Sequence, residues 1–341
     1  MRTYFVTGGA GFIGSGFLQL LLDENPACEV TNFDALTYAG NPDNLKSLSP
    51  ARHRFVQGDI CNRDAVVSAL AEGTDVLINF AAESHVDRSI ASAQKFLHTN
   101  VLGTQVLLDA ARERGVRRFV QVSTDEVLGS LPETADALFT EESPFNPNSP
   151  YAASKAAAEH FVRAAHHTFG LDTVITRSGN NYGPRQFPEK FLPLMLANAM
   201  NDEPIPVYGD GLNVRDWIYV EDHCRAILLA AEKGVPGATY NIGARNEQRN
   251  LDVAKTVLDL LKKPHSLIRF VKDRPGHDRR YAIDSTRVET ELGWFPRETW
   301  ESGLRKTIEW YQTNVEWVEG ARSGAYREFY TRQYGIEIGA R

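Results

Sequence analysis

The feature that most constrains this chain is Gly8-Gly9-Ala10-Gly11-Phe12-Ile13-Gly14. It stands directly behind the apolar run Tyr4-Phe5-Val6 and ahead of a helical pattern that reaches about residue 22. Glycines at this spacing let a chain turn sharply out of a strand, bring its backbone against a pyrophosphate and pack the following helix close to the sheet. The unpaired N–H groups at that helix start then hold the phosphate charge. Asp34 closes the second apolar run, 20 residues after Gly14. A carboxylate there accepts hydrogen bonds from the adenosine ribose and repels a 2′-phosphate, so the pattern favours NAD over NADP.

The texture around this turn agrees with it. Short apolar runs at 4–7, 30–33, 54–57, 76–80, 118–123 and 172–177 read as strands. They alternate with helical patterns at about 12–22, 96–114 and 150–169. Such alternation predicts an α/β fold, a Rossmann-type doubly wound parallel sheet covered on both faces. From about residue 180 prolines and glycines become frequent, as in Tyr182-Gly183-Pro184 and Val207-Tyr208-Gly209-Asp210-Gly211, and helices recur near 253–262 and 300–313. The expected division is an NAD-binding domain over 1–180 with a return segment at about 213–235, a smaller mixed α/β substrate domain over 181–330, and a tail over 331–341. Tyr326, Phe329, Tyr330 and Tyr334 suggest a docked terminal helix within 321–341.

Composition narrows the function classes. The 341 residues carry a net charge of −7, which argues against a general nucleic-acid binder. Cys28, Cys61 and Cys224 have neither metal-ligand nor disulfide spacing, and His85 and His277 have no metal spacing either. No metal is expected. The chain shows no signal peptide and no apolar run of membrane-spanning length, so a cytoplasmic protein without membrane or nucleic-acid partners is expected.

Two constellations carry chemistry. Tyr151 and Lys155 sit four residues apart behind Pro150, on one face of a helix start. A tyrosine titrates at about 10 unperturbed; an ammonium and an oxidised nicotinamide nearby would both favour its phenolate, making it a base for a substrate hydroxyl. Ser123-Thr124-Asp125-Glu126 follows the fifth strand and would lie beside Tyr151 at the carboxyl edge of the sheet. Two carboxyl groups with different surroundings can serve as base and acid in an elimination of water. Asp59-Ile60, after the third strand, and Ala81-Ala82-Glu83, after the fourth, also lie at ligand-binding strand ends.

The ordered set of glycine turn, Asp34, Ser123-Thr124 and Tyr151/Lys155 resembles the extended short-chain dehydrogenase/reductase superfamily. Longer runs narrow the likeness. Asp34-Ala35-Leu36-Thr37-Tyr38-Ala39-Gly40-Asn41, Ala81-Ala82-Glu83-Ser84-His85-Val86-Asp87-Arg88-Ser89, Asn180-Asn181-Tyr182-Gly183-Pro184 and Gln186-Phe187-Pro188-Glu189-Lys190 are similar to the dTDP-glucose 4,6-dehydratase family. So are Asn213-Val214-Arg215-Asp216-Trp217 and Asp273-Arg274-Pro275-Gly276-His277.

The resemblance implies a redox-neutral lyase with tightly held NAD, acting on a nucleotide-activated glucose, and a homodimer formed through helices at about 102–114 and 152–168. It implies cofactor contacts at Gly8, Gly11, Phe12, Ile13, Gly14, Asp34, Ala35, Leu36, Thr37, Asp59, Ile60, Phe80, Ala81, Ala82, Ser84, Thr99, Tyr151, Lys155 and Asn181. It implies substrate contacts at Ser84, Thr124, Asn180, Lys190, Phe191, Pro206, Val207, Tyr208, Arg215, Asn250, Asp273, Arg274 and His277. The implied catalytic set is Thr124, Asp125, Glu126, Tyr151 and Lys155. Tyr151 acts on the C4 hydroxyl with Lys155 supporting its phenolate, Thr124 bonds the C4 oxygen, Glu126 takes the C5 proton and Asp125 protonates the leaving C6 hydroxyl. Leu128, Gly179, Arg185 and Phe191 depart from the family's usual residues and bear on substrate choice. The competing readings are a nucleotide-sugar 4-epimerase or uronate decarboxylase on the same fold, and a non-catalytic NAD or sugar-nucleotide-binding regulator. Neither uses the Asp125-Glu126 pair.

Overall fold

The computed structural model describes residues 1–133, 136–322 and 331–335. The first six strands are β1 (Arg2–Thr7), β2 (Cys28–Asp34), β3 (His53–Gln57), β4 (Val76–Asn79), β5 (Arg118–Thr124) and β6 (Thr173–Ser178). They are followed by β7 (Asn180–Tyr182), β8 (Ile205–Tyr208), β9 (Val214–Tyr219), β10 (Thr239–Ile242), β11 (Glu247–Arg249) and β12 (Ile268–Val271). The main sheet has the order β3-β2-β1-β4-β5-β6-β10 and is parallel throughout. Its central strands are apolar on both faces, as in Val76-Leu77-Ile78, because both faces are covered.

One cover consists of α1 (Phe12–Glu24) and, from far along the chain, α8 (Val220–Lys233). Phe17, Leu18 and Leu21 pack there with Cys224, Ile227 and Leu228. The other consists of α2 (Arg63–Ala69), α5 (Thr104–Glu113) and α6 (Pro150–Phe169), with Leu107, Leu108, Val162 and Ala165 against Phe5, Leu77 and Phe119. Between α2 and α5 lie α3 (Val86–Ala91) and the short α4 (Gln94–Phe96). The helical pattern expected over 96–114 is one helical run from α4 to α5 whose middle, Leu97–Gly103, is π-helical. That wider turn presents Asn100 to the end of β4. Its Oδ1 accepts from Glu83 N (2.9 Å), and its Nδ2 donates to Glu83 O and to Ser154 Oγ, both at 2.9 Å.

A smaller unit holds the sheet β11-β9-β7, the parallel pair β12-β8, and the helices α7 (Phe191–Met200), α9 (Asn250–Leu261), α11 (Trp300–Thr313) and α12 (Val315–Ala321). Its core joins Tyr182, Trp217, Leu196, Val257, Leu304 and Tyr311. The return segment expected at about 213–235 spans β9 and α8. β9 stays in the smaller sheet, and the chain re-enters the main layer through α8 and β10, then again where α10 (Thr286–Leu292) sets Val288 and Leu292 against it. Of the terminal aromatics, Tyr334 is described; Tyr326, Phe329 and Tyr330 lie outside the described residues.

Strand order reverses between β1 and β4. The crevice at such a reversal, outside the carboxyl ends of the strands, is where a doubly wound sheet binds its ligand.

Candidate active site

A cavity of about 440 Å³ opens there and continues between the main sheet and the smaller unit. Gly8 turns through φ 70°, and a Cβ on it would lie 2.7 Å from Ala81 N. A Cβ on Gly14 would lie 2.3 Å from Gly8 O. Only bare backbone can form this cradle, which fits the pyrophosphate of NAD. Asp34 fits the ribose end. Its Oδ2 accepts from Ala10 N and its Oδ1 from Leu36 N, both at 2.8 Å, fixing the carboxylate at the cavity wall. Burial pushes its pKa up and the two N–H groups oppose that.

Of the expected cofactor contacts, Gly8, Gly11, Phe12, Ile13, Gly14, Asp34, Ala35, Thr37, Asp59, Ile60, Phe80, Ala81, Ala82, Ser84, Thr99, Tyr151, Lys155 and Asn181 line the cavity. Leu36 is the exception. At φ 51° its backbone curls under Asp34, so it shapes the carboxylate and does not reach the cavity.

The reaction end is built from α6 and the end of β5. Ser149 caps α6 by accepting from Ala152 N (3.1 Å), and Pro150 begins the helix, which turns Tyr151 and Lys155 toward β5. Lys155 donates from Nζ to Val122 O at 2.7 Å, and burial pulls its pKa from 10.5 to about 8, with Glu159 opposing. One turn later Glu159 is itself buried. It holds Arg177 through Nε (2.9 Å) and Nη2 (2.7 Å) and accepts from Ser123 Oγ (2.5 Å).

Tyr151 departs from the expectation of a lowered pKa. Burial, then the Glu126 carboxylate, holds its phenol above the ordinary tyrosine value, while Thr124 hydrogen-bonds it. Lys155 gives its ammonium to a strand carbonyl, so the protein's own groups keep the phenol protonated.

After Thr124 the chain makes a 3-10 turn, Asp125–Leu128, in which Thr124 Oγ1 accepts from Glu126 N (3.3 Å). Asp125 is 2% exposed, and its Oδ2 has no hydrogen-bond partner. A solvated strand-end turn would leave it open to water. Burial, Glu126 and Asp216 together push its carboxyl well above the usual range. Burial raises Glu126 too, but Arg274, Lys190 and Arg215 pull it back. The two neighbours thus separate into a carboxylic acid, Asp125, and a more readily ionised carboxylate, Glu126, the arrangement an acid–base pair needs.

On the substrate side Ser84, Thr124, Asn180, Lys190, Phe191, Pro206, Tyr208, Arg215, Asn250, Arg274 and His277 line the same cavity. Val207 and Asp273 do not. Side chains alternate along β8, so Pro206 and Tyr208 face the cavity while Val207 is fully buried in the smaller unit's core. Asp273 is exposed, with its Oδ1 2.6 Å from His277 Nδ1, which does line the cavity. Arg215 donates from Nη2 to Asp278 O (2.9 Å) and stacks over the Tyr281 ring, 4.3 Å from its centroid. Glu83, placed at a ligand-binding strand end from the sequence, lines the cavity, and so do Asp87, Glu189 and Tyr281, which the sequence does not single out. Each stands within or beside a motif run, but a run does not say which of its members face inward.

The sequence model described as GDP-mannose 4,6 dehydratase matches residues 5–307. A dTDP-glucose 4,6-dehydratase of Xanthomonas campestris is 50% identical over 96% of this chain and 98% of its own length. One from Neisseria meningitidis is 48% identical with the same coverage. The chain belongs to the dTDP-glucose 4,6-dehydratase family. A crystal structure of such a dehydratase from Streptomyces venezuelae, holding NAD and dTDP, superposes with a TM-score of 0.91 at 48% identity, covering 94% of this chain and 100% of that one. A UDP-glucose 4-epimerase from Thermus thermophilus, in complex with NAD, gives 0.84 at 30% identity, covering 92% and 100%.

Within the dTDP-glucose 4,6-dehydratase family, this member's departures have local reasons. A Cβ on Gly179 would lie 2.6 Å from Asp216 O, so glycine lets β9 come close behind the acid pair. Leu128 is buried among Val127, Phe139, Ala156 and Tyr281, an apolar setting. Arg185 lies at φ 66° in the turn after β7. Phe191 lines the cavity at the start of α7. Among the described residues no cluster of three His, Cys, Asp or Glu could hold a metal, and no helix is long and apolar enough to cross a membrane.

Proposed function

We propose that the chain dehydrates dTDP-glucose to the 4-keto-6-deoxy sugar with NAD as its resident cofactor. The observation that carries this reading is the neighbouring pair Asp125, buried, and Glu126, partly buried, whose carboxyls are raised to different extents, in one cavity with Tyr151. Neither C5–H nor the C6 hydroxyl of a glucose reacts readily until C4 is a ketone. Bound NAD would supply the hydride acceptor for C4 and the hydride donor for C6 of the resulting enone, with a proton delivered to C5 to complete the 4-keto-6-deoxy sugar. Once the positive charge of a bound oxidised nicotinamide has offset the burial that keeps the phenol protonated, and its proton has left to solvent, Tyr151 Oη would take the C4 hydroxyl proton, and Thr124 Oγ1 would orient the C4 oxygen. Glu126, kept ionisable by Arg274, Lys190 and Arg215, removes the proton from C5. Asp125, held protonated by burial, gives its proton to the departing C6 hydroxyl, which leaves as water. Arg215 and Arg274 bind the diphosphate through their planar forks.

An epimerase or decarboxylase on this fold would have no use for a buried second acid beside the base, and a binding regulator would have no use for either. The working division is a cofactor domain over 1–180, with its return segments, and a substrate domain over 181–330. The protein acts in the cytoplasm and pairs as a homodimer through the faces that expose Leu102, Phe161 and Phe169. Its product feeds deoxysugar synthesis, rhamnose included. Incubation with dTDP-glucose or UDP-glucose, without added reductant, tests the reading by product mass. Loss of one water from dTDP-glucose is expected. An unchanged mass with inversion at C4 would overturn it in favour of the epimerase.

A further inference from the structure

We infer that the C-terminal turn at Tyr334 completes the substrate site, extending beside Tyr208 the aromatic surface on which the nucleobase of the sugar nucleotide packs. The inference rests on the function proposed above. Of residues 331–335, Thr331, Arg332, Gln333 and Gly335 are exposed; Tyr334 alone is half-buried, and it lines the cavity. Its ring lies 5.9 Å from that of Tyr208, inclined by 47°. Its neighbour Gln333 donates from Nε2 to Tyr208 Oη at 3.0 Å. That hydroxyl in turn donates to Asp87 Oδ2, also at 3.0 Å, and the Tyr208 ring meets the His277 ring edge-on at 5.9 Å. Tyr208 is therefore fixed from three sides, and one of them is the chain terminus.

The position identifies the ligand group. Glu126 at the reaction end feels the charges of Arg274 and Arg215, and Arg274 Nη1 lies 3.8 Å from Asp87 Oδ1, the carboxylate that also anchors Tyr208. Sugar at Glu126 and Tyr151, diphosphate at the two arginines and base at Tyr208 and Tyr334 is the order in which a sugar nucleotide presents its parts. A pyrimidine packs on an aromatic surface without requiring a hydrogen-bond code. None of the sequence motifs reaches residue 334, so the sequence marks Tyr334 only as one of the aromatics of a docked terminal helix.

The test compares wild type with Tyr334→Ala and Tyr334→Phe as NAD-loaded full-length proteins. It measures KM and kcat for water loss from dTDP-glucose, and the Kd of dTDP itself by calorimetry. Tyr334→Ala is expected to raise both KM and the dTDP Kd by roughly tenfold, the loss of one base–aromatic stack, with kcat moving far less. Tyr334→Phe keeps the ring and should restore both constants to within about twofold of wild type. Unchanged KM and dTDP Kd in Tyr334→Ala would overturn the inference, as would a fall in kcat alone. Failure of wild type to release water from dTDP-glucose would instead sink the proposed reaction, and the dTDP titration would still decide the role of Tyr334.

Discussion

Lys155 offers a quantitative check on the electrostatics of the site. It is 5% exposed, and burial pulls its pKa from 10.5 to about 8. That drop of about 2.5 units corresponds to about 3 kcal/mol of preference for the neutral amine in the folded state. Below pH 8 the folded and unfolded chains both carry the proton, so the native state bears the whole penalty. Between pH 8 and about 10.5 the unfolded chain binds more protons than the folded one, and wild-type stability gains from this site as pH rises. Lys155→Met removes the charge and keeps the bulk. It also strands the Val122 carbonyl that Nζ now satisfies, at about 1–3 kcal/mol and at every pH. The variant should therefore be as stable as wild type, or more so, at pH 7, and lose about 2–3 kcal/mol relative to wild type by pH 10. Urea unfolding of both proteins, freed of nucleotide so that binding does not add to stability, measures the difference at each pH. Water loss from dTDP-glucose should be abolished throughout. A stability difference that is the same at pH 7 and pH 10 would refute the claim that a charged lysine is buried there at a penalty.

Glu126→Gln should still form reduced nicotinamide from dTDP-glucose, because the C4 proton leaves through Tyr151, yet release no water; full dehydration by this variant would exclude Glu126 as the C5 base. Gly14→Ala places a Cβ 2.3 Å from Gly8 O and 2.8 Å from Gly9 Cα, both backbone atoms that cannot step aside alone. It should lower stability by about 1–3 kcal/mol. Protein purified from it should carry far less NAD than wild type; full NAD occupancy with an unchanged unfolding midpoint would show that the cradle has slack.

The roles that backbone chemistry dictates were legible in order along the chain. The glycine turn, Asp34 and the alternating apolar runs specify a parallel sheet with a phosphate cradle, because only glycine tolerates those approaches and only a doubly covered sheet makes its strands apolar on both faces. The Tyr151–Lys155 spacing is likewise a property of the helix and needs no tertiary information. What the sequence left open are the properties that depend on contacts between distant segments. Leu36 and Val207 stand inside the right motifs, yet a left-handed backbone and strand alternation turn their side chains from the cavity, while Asp273 is exposed and meets the site through His277. Tyr334 stands outside every motif and lines the cavity because residues 331–335 lie against Tyr208. The ionisation states were also decided only by the tertiary structure. Asp125 and Glu126 are chemically near-identical neighbours in the chain. Burial raises both, and Arg215 pulls on both, but Arg274 and Lys190, brought in from the smaller unit, act on Glu126, while Glu126 and Asp216 push Asp125 further up. Electrostatic energy depends on distance and on exclusion of water, and neither is set until segments far apart in sequence pack against one another.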